Sequence, residues 1–171
     1  IDGVLTIIVM AGLVATQTFG FDQTGTIVLF LIVQFSALIG AFSLAKPTDR
    51  WGPKKVLNAV LIVWIMVSIS AFFIQDPNVF YAMAVFAGLA LGSVQAASRS
   101  FMASLIPAGR EAEMFGFYAL CGRTSSVLGP ALFGYLALAN DGNQRPGFLM
   151  LSGLFVLGLF LLQRVKDPRA A

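Results

Sequence analysis

Charged residues punctuate this chain so sparsely that the intervals between them set its architecture. Residues 3–21, 23–45, 56–75, 77–98 and 146–163 carry no charge, and 114–140 is interrupted only at Arg123. A hydrocarbon core of about 30 Å takes roughly 20 apolar residues as helix. In lipid every backbone polar group must be bonded within its own segment, so such stretches are helices. The pattern predicts an all-α polytopic membrane protein with six transmembrane helices, at about 1–20, 24–45, 54–74, 78–106, 111–138 and 146–164.

The connections are short. Pro47, Gly52 and Pro53 break helix in a polar connection over 46–53. Asp76-Pro77-Asn78 is a turn, because the residue before proline leaves helical geometry, and Pro107-Ala108-Gly109 is another. Residues 139–147 form the longest loop. Nothing stops a helix between 79 and 106, so the fourth span is about 40 Å long at ~1.5 Å per residue and should project past the bilayer. Six spans in two sets of three predict a three-plus-three inverted repeat.

Composition narrows the functions open to such a chain. It is 58% hydrophobic and 11% charged over 171 residues, against roughly 25% charged in a soluble domain, so six spans leave no room for a separate soluble domain. There is no histidine, which removes Ser-His and Cys-His nucleophiles, His-ligated metals and His proton relays. An intramembrane aspartyl protease would need two facing acids where only Asp2 is available. The residues therefore argue against an enzyme, a cofactor or a metal site. The single Cys121 permits no internal disulfide and is expected as a small buried apolar residue.

The formal charge is only +3, but its placement is informative. Lys46, Arg50, Lys54, Lys55, Arg99, Arg110, Arg164, Lys166 and Arg169 fall on one side of the predicted spans, and only Arg145 falls in the opposite loops. By the positive-inside rule the first group faces the cytoplasm, with the C-terminus. The basic balance thus reports topology and not a nucleic-acid partner. The chain opens at Ile1, with Asp2 heading an apolar run and no basic flank before it, so it is expected to start inside a helix of a longer protein.

Intramembrane charges cost about 2.5–3.5 kcal/mol on insertion scales, which makes each a functional candidate. Arg123 lies about 14 Å past the start of the fifth span, with Ser126 nearby, and an anionic solute group or an acid of another segment would suit it. Asp2 has Thr6 one turn on. A buried carboxylate there would hold a proton at neutral pH, which suits proton coupling. Gly88, Gly92, Gln95 and Arg99 share one helix face. The glycines form a G-x-x-x-G for close contact, while Gln95 either hydrogen-bonds solute or a neighbouring helix. Gly129 and Pro130, with Gly134, should bend the fifth span, since Pro130 removes a ladder hydrogen bond.

The stretch from Gly40 to Lys55, with Asp49-Arg50-Trp51-Gly52-Pro53-Lys54-Lys55, resembles the cytoplasmic signature of the major facilitator superfamily. It departs from that pattern at Ala45, where glycine is usual, and at Pro47. Residues 92–101, 105–118 and 122–134 are similar to the vacuolar-effluxer branch of that superfamily, the autophagy-related amino-acid effluxers and their bacterial permease relatives. Residues 1–8 resemble the start of its seventh helix. The resemblance covers the whole chain and implies the C-terminal six-helix half of a twelve-helix secondary transporter. Such a protein exports a small solute, amino acids being the candidates, from a bacterial inner membrane. It works by alternating access with a missing N-terminal half, and a proton is a candidate coupling ion. It also implies a cytoplasmic gate of Asp49, Arg50, Gly52, Lys54 and Arg99, in which Asp49 and Arg99 pair. The alternative is a self-contained six-span protein that dimerises as a transporter or channel.

Overall fold

The computed structural model describes residues 2–107 and 109–165; the side chains at 2, 3, 5 and 125 are outside that description. Lys166 and Arg169, expected on the basic side, therefore lie beyond it. Seven helices and no strand occur among the described residues: α1 (Asp2–Gln17), α2 (Gln23–Ser43), α3 (Ala45–Trp51), α4 (Pro53–Phe73), α5 (Pro77–Leu105), α6 (Glu111–Ala139) and α7 (Arg145–Arg164). Four segments are long and apolar enough to cross a membrane: Gln23–Trp51, which continues α2 through Leu44 into α3, Pro53–Phe73, Pro77–Leu105 and Arg145–Arg164. α1 has only 16 residues. α6 has 29 but is diluted by Arg123, Thr124 and several glycines and serines.

Two expectations about the connections are corrected. The 46–53 segment is not a broken polar loop, because α3 forms within it. Pro47 is the third residue of α3, where a backbone N–H has no intrahelical acceptor, so its absence costs no ladder bond. Thr48 is buried and donates its Oγ1 to the Leu44 carbonyl at 2.6 Å. Gly52, at φ 89°, ends α3, and Pro53 opens α4. Likewise Pro77 is the first residue of α5 and not a turn residue. Asp76 caps that helix by accepting from the Asn78 N–H at 2.7 Å.

Packing runs in pairs. α4 and α7 are antiparallel: Ser68 Oγ donates to the Phe148 carbonyl at 2.6 Å, Trp64 stacks on Phe155 with centroids 5.8 Å apart, and Gln163 Nε2 donates to Asn58 Oδ1 at 2.9 Å. Phe148 passes the contact on to α6 through an edge-to-face pair with Phe133 at 5.4 Å. α2 and α5 run parallel, since Gly88 meets Val33 and Ser36 while Gly92 meets Ala37 and Ala41. At one end of the bundle Phe19, Phe21, Phe80 and Tyr81 form an aromatic cluster. Tyr81 ties it to α2 by donating to the Gly25 carbonyl at 3.1 Å. Helix association in lipid lacks a hydrophobic drive and depends on such close packing and interhelical hydrogen bonds.

Candidate functional site

The tight α2–α5 contact also builds a polar cleft. A Cβ added at Gly88 would stand 2.6 Å from Ser36 Cβ, and at Gly40 and Gly92 it would run into the backbone of Leu89 and Ala37. Only glycine permits this approach. Ser93 crosses the seam, donating Oγ to the carbonyls of Leu89 at 2.7 Å and of Gly40 at 3.0 Å. Beside the seam lies a cleft of about 410 Å³ in which Gln34, Gln95 and Arg99 project among Ala37, Leu38, Ala41 and Leu91. The register places Gln34 level with Gly88, Gln95 about 10 Å further along α5, and Arg99 about 6 Å beyond that. The cleft thus offers a ladder of two amides ending in a cation, set in an otherwise apolar wall. That arrangement suits a small solute bearing hydrogen-bonding and anionic groups. It differs from the groove between α4 and α5, where Val63, Met66, Val67, Ile74 and Val79 line a space of about 490 Å³ with little polar surface.

The structure distributes the other candidates differently. Gly88, Gly92, Gln95 and Arg99 do share the face of α5 turned to α2. Arg123 sits exposed on α6, outside that cleft, and its carbonyl accepts from Ser126 Oγ at 2.7 Å. Asp2 begins α1, with its side chain outside the described residues. Asp49, Arg50 and Arg99 are exposed, and Asp49 and Arg99 form no ion pair with each other. The one ion pair among the described residues is Arg110 Nε to Glu113 Oε2 at 3.2 Å, within one turn of α6. Lys54 points instead at the end of α7, donating Nζ to the carbonyls of Val165 at 2.6 Å and Gln163 at 3.4 Å. Gly129 packs on Thr6, where an added Cβ would lie 3.1 Å from Thr6 Cβ. α6 runs unbroken through Pro130. Cys121 is exposed on that helix, not buried as expected. Among the described residues no cluster of three or more His, Cys, Asp and Glu side chains is placed to hold a metal.

Gln34 escapes the sequence reading. The available signal was a lone amide at the middle of the uncharged 23–45 run, which only the partner helix identifies as part of a cleft. The Gln17–Gln144 amide pair, in which Gln144 Nε2 donates to Gln17 Oε1 between the ends of α1 and α7, was equally hidden.

Apolar spanning helices joined by glycine seams, with a polar cleft along one seam, define an integral multi-pass membrane protein. The comparisons with known proteins agree. The family model described as vacuole effluxer Atg22 like matches residues 1–171, and the chain belongs to that family. It is 29% identical over 167 residues to the uncharacterized MFS-type transporter YxiO of Bacillus subtilis, covering 98% of this chain and 39% of that protein. It is 34% identical over 142 residues to autophagy-related protein 22-1 of Phaeosphaeria nodorum, covering 74% and 25%. With autophagy-related protein 22 of Yarrowia lipolytica it shares 30% over 183 residues, covering 98% and 30%. The chain thus spans between a quarter and two fifths of the length of these relatives. The family description names an effluxer, and the Bacillus subtilis relative is named a transporter.

Proposed function

We propose that the chain is the C-terminal six-span half of a secondary transporter that exports a small solute by alternating access against an N-terminal half. The α2–α5 cleft, with Gln34, Gln95 and Arg99, lines the solute path. That cleft carries the reading: it is a roomy space bordered by polar side chains in a chain otherwise committed to apolar surface. Two amides and a guanidinium lining a cleft between two membrane helices, α2 and α5, are costly in lipid and favour a role in handling a polar solute.

The packing supports an inverted repeat. Exchanging α1 with α5, α2 with α6 and α4 with α7 turns the α2–α5 contact into α1–α6, turns α4–α5 into α1–α7, and returns α4–α7 to itself; all these contacts occur. The relatives' greater length favours a half-transporter over the alternative, a self-contained six-span protein that dimerises. The excess of Lys and Arg at the α3–α4 and α5–α6 ends supports a cytoplasmic position for them, and a bacterial inner membrane suits the resemblance to bacterial permeases.

In this reading Asp49, Arg50 and Arg99 exchange ion-pair partners in the conformation opposite to this one, Gly52 and Lys54 fix the turn between α3 and α4, and Asp2 and Arg123 remain coupling and solute candidates. Amino acids are the first solutes to try. The test is counterflow of radiolabelled amino acids in proteoliposomes of full-length protein, with and without a proton gradient. Gln95→Ala should raise the half-saturating solute concentration, Asp49→Asn should lower turnover more than affinity, and Arg99→Ala, at both the cleft and the gate, should lower turnover and weaken affinity. Wild-type kinetics in all three variants would reject the assignment.

A further inference from the structure

The outward surfaces of α4 and α7 are apolar stripes that each end in a cation. On α4 the exposed positions Lys55, Ile62, Met66, Ile69 and Phe73 follow one helical face. On α7 Leu149, Val156 and Phe160 lead to Arg164. Lys54 brings the two ends together, because its amine rests on the Val165 carbonyl at 2.6 Å. Its charge is thereby occupied by the unbonded carbonyls at the α7 terminus. Lys55 and Arg164 are the chain neighbours of the two joined residues, and both are exposed. Neither has a carboxylate partner among the described residues, where Arg110–Glu113 is the only ion pair.

The Arg164 guanidinium folds back to 5.0 Å above the ring of Phe160, itself an exposed residue of the stripe. That posture holds the charge where the apolar surface ends. Trp51, 63% exposed, lies just before the turn that opens α4, and an exposed indole beside cations belongs at the headgroup level.

We propose that Lys55 and Arg164 form a headgroup site for an anionic phospholipid, whose phosphodiester lies between the two cations and whose acyl chains lie along the α4 and α7 stripes. Arginine supplies a fork for the phosphate oxygens and lysine a point charge. Basic pockets between helices at a membrane face recognise such lipids. A zwitterionic headgroup carries its own ammonium beside the phosphate and meets Lys55 with a like charge, so the site discriminates against it. The site needs only the bilayer and does not depend on where the solute passes.

Native mass spectrometry of the full-length protein, titrated with phosphatidylglycerol, with phosphatidylethanolamine, and with phosphatidylglycerol plus excess inorganic phosphate, tests the assignment. The wild type should retain phosphatidylglycerol over phosphatidylethanolamine, and inorganic phosphate should not displace it. Lys55→Gln with Arg164→Gln should weaken phosphatidylglycerol retention roughly thirty-fold, as two cations near an anionic surface imply, while Lys55→Arg with Arg164→Lys should keep it. If the double variant does not fold, each single variant should lose roughly fivefold and decides the matter equally. Unchanged retention in the glutamine variants, or displacement by inorganic phosphate, overturns the proposal.

Discussion

The α2–α5 and α1–α6 seams occupy corresponding places in the proposed repeat, yet they are built to different tolerances. Along α2–α5, three glycines face backbone at successive turns, and Ser93 bonds across. Along α1–α6, a single glycine, Gly129, faces a side chain, Thr6, and much of α6 is exposed, including Phe117, Leu120, Val127 and Tyr135. The obstacle is backbone in the first seam and one buried, β-branched side chain in the second. The first seam is therefore a fixed wall for the polar cleft, and the second rests on one tight side-chain contact.

The comparison is broken most severely by Gly92→Leu, which should destabilise the protein by about 3 kcal/mol, or prevent folding, through overpacking against the Ala37 backbone. Gly134→Leu is its control: an added Cβ there meets nothing within 4 Å, so thermal unfolding in detergent should change by less than about 0.5 kcal/mol. Gly129→Leu should fall between, at about 1–2 kcal/mol, because its clash is with one side chain, Thr6, and not with backbone. A cost equal to that of Gly92→Leu would show that the second seam is as rigid as the first. Ser68→Ala removes the α4–α7 hydrogen bond to Phe148 and should cost about 0.6 kcal/mol, typical of such bonds in membranes. Smallest in stability is Gln34→Ala, expected within about 0.5 kcal/mol since the side chain is exposed in the cleft. Solute transport by that variant should nonetheless fall, and an unaltered transport rate would remove Gln34 from the path.

The positions of α2, α4, α5 and α7 were legible because charges are expelled from lipid, so the charge-free intervals mark the apolar helices directly. Gly88 and Gly92 were legible as a seam because their spacing has one packing use. What the pattern hides are departures set by the partner helix or by position within a turn. Pro47 reads as a breaker until its place in the first turn of α3 is known. Lys54 reads as a gate residue, and only the α7 terminus shows its carbonyl partners. Gln34 becomes part of a site only when α5 lies alongside, and Cys121 is exposed because α6 packs on one narrow line through Gly129 and Phe133. Composition records how apolar a helix is, but not which of its sides finds a neighbour.

Cysteine accessibility in proteoliposomes tests the central claim most directly, since it asks which of two helix faces meets water. In full-length protein carrying Cys121→Ala, a cysteine replacing Gln95 in the cleft should react with a membrane-impermeant thiosulfonate and be protected by transported solute. One replacing Met66, on the outward stripe of α4, should stay unreacted. A reactive Met66→Cys beside an inert Gln95→Cys would contradict the account, because it would put lipid against the amide ladder and water against the apolar stripe.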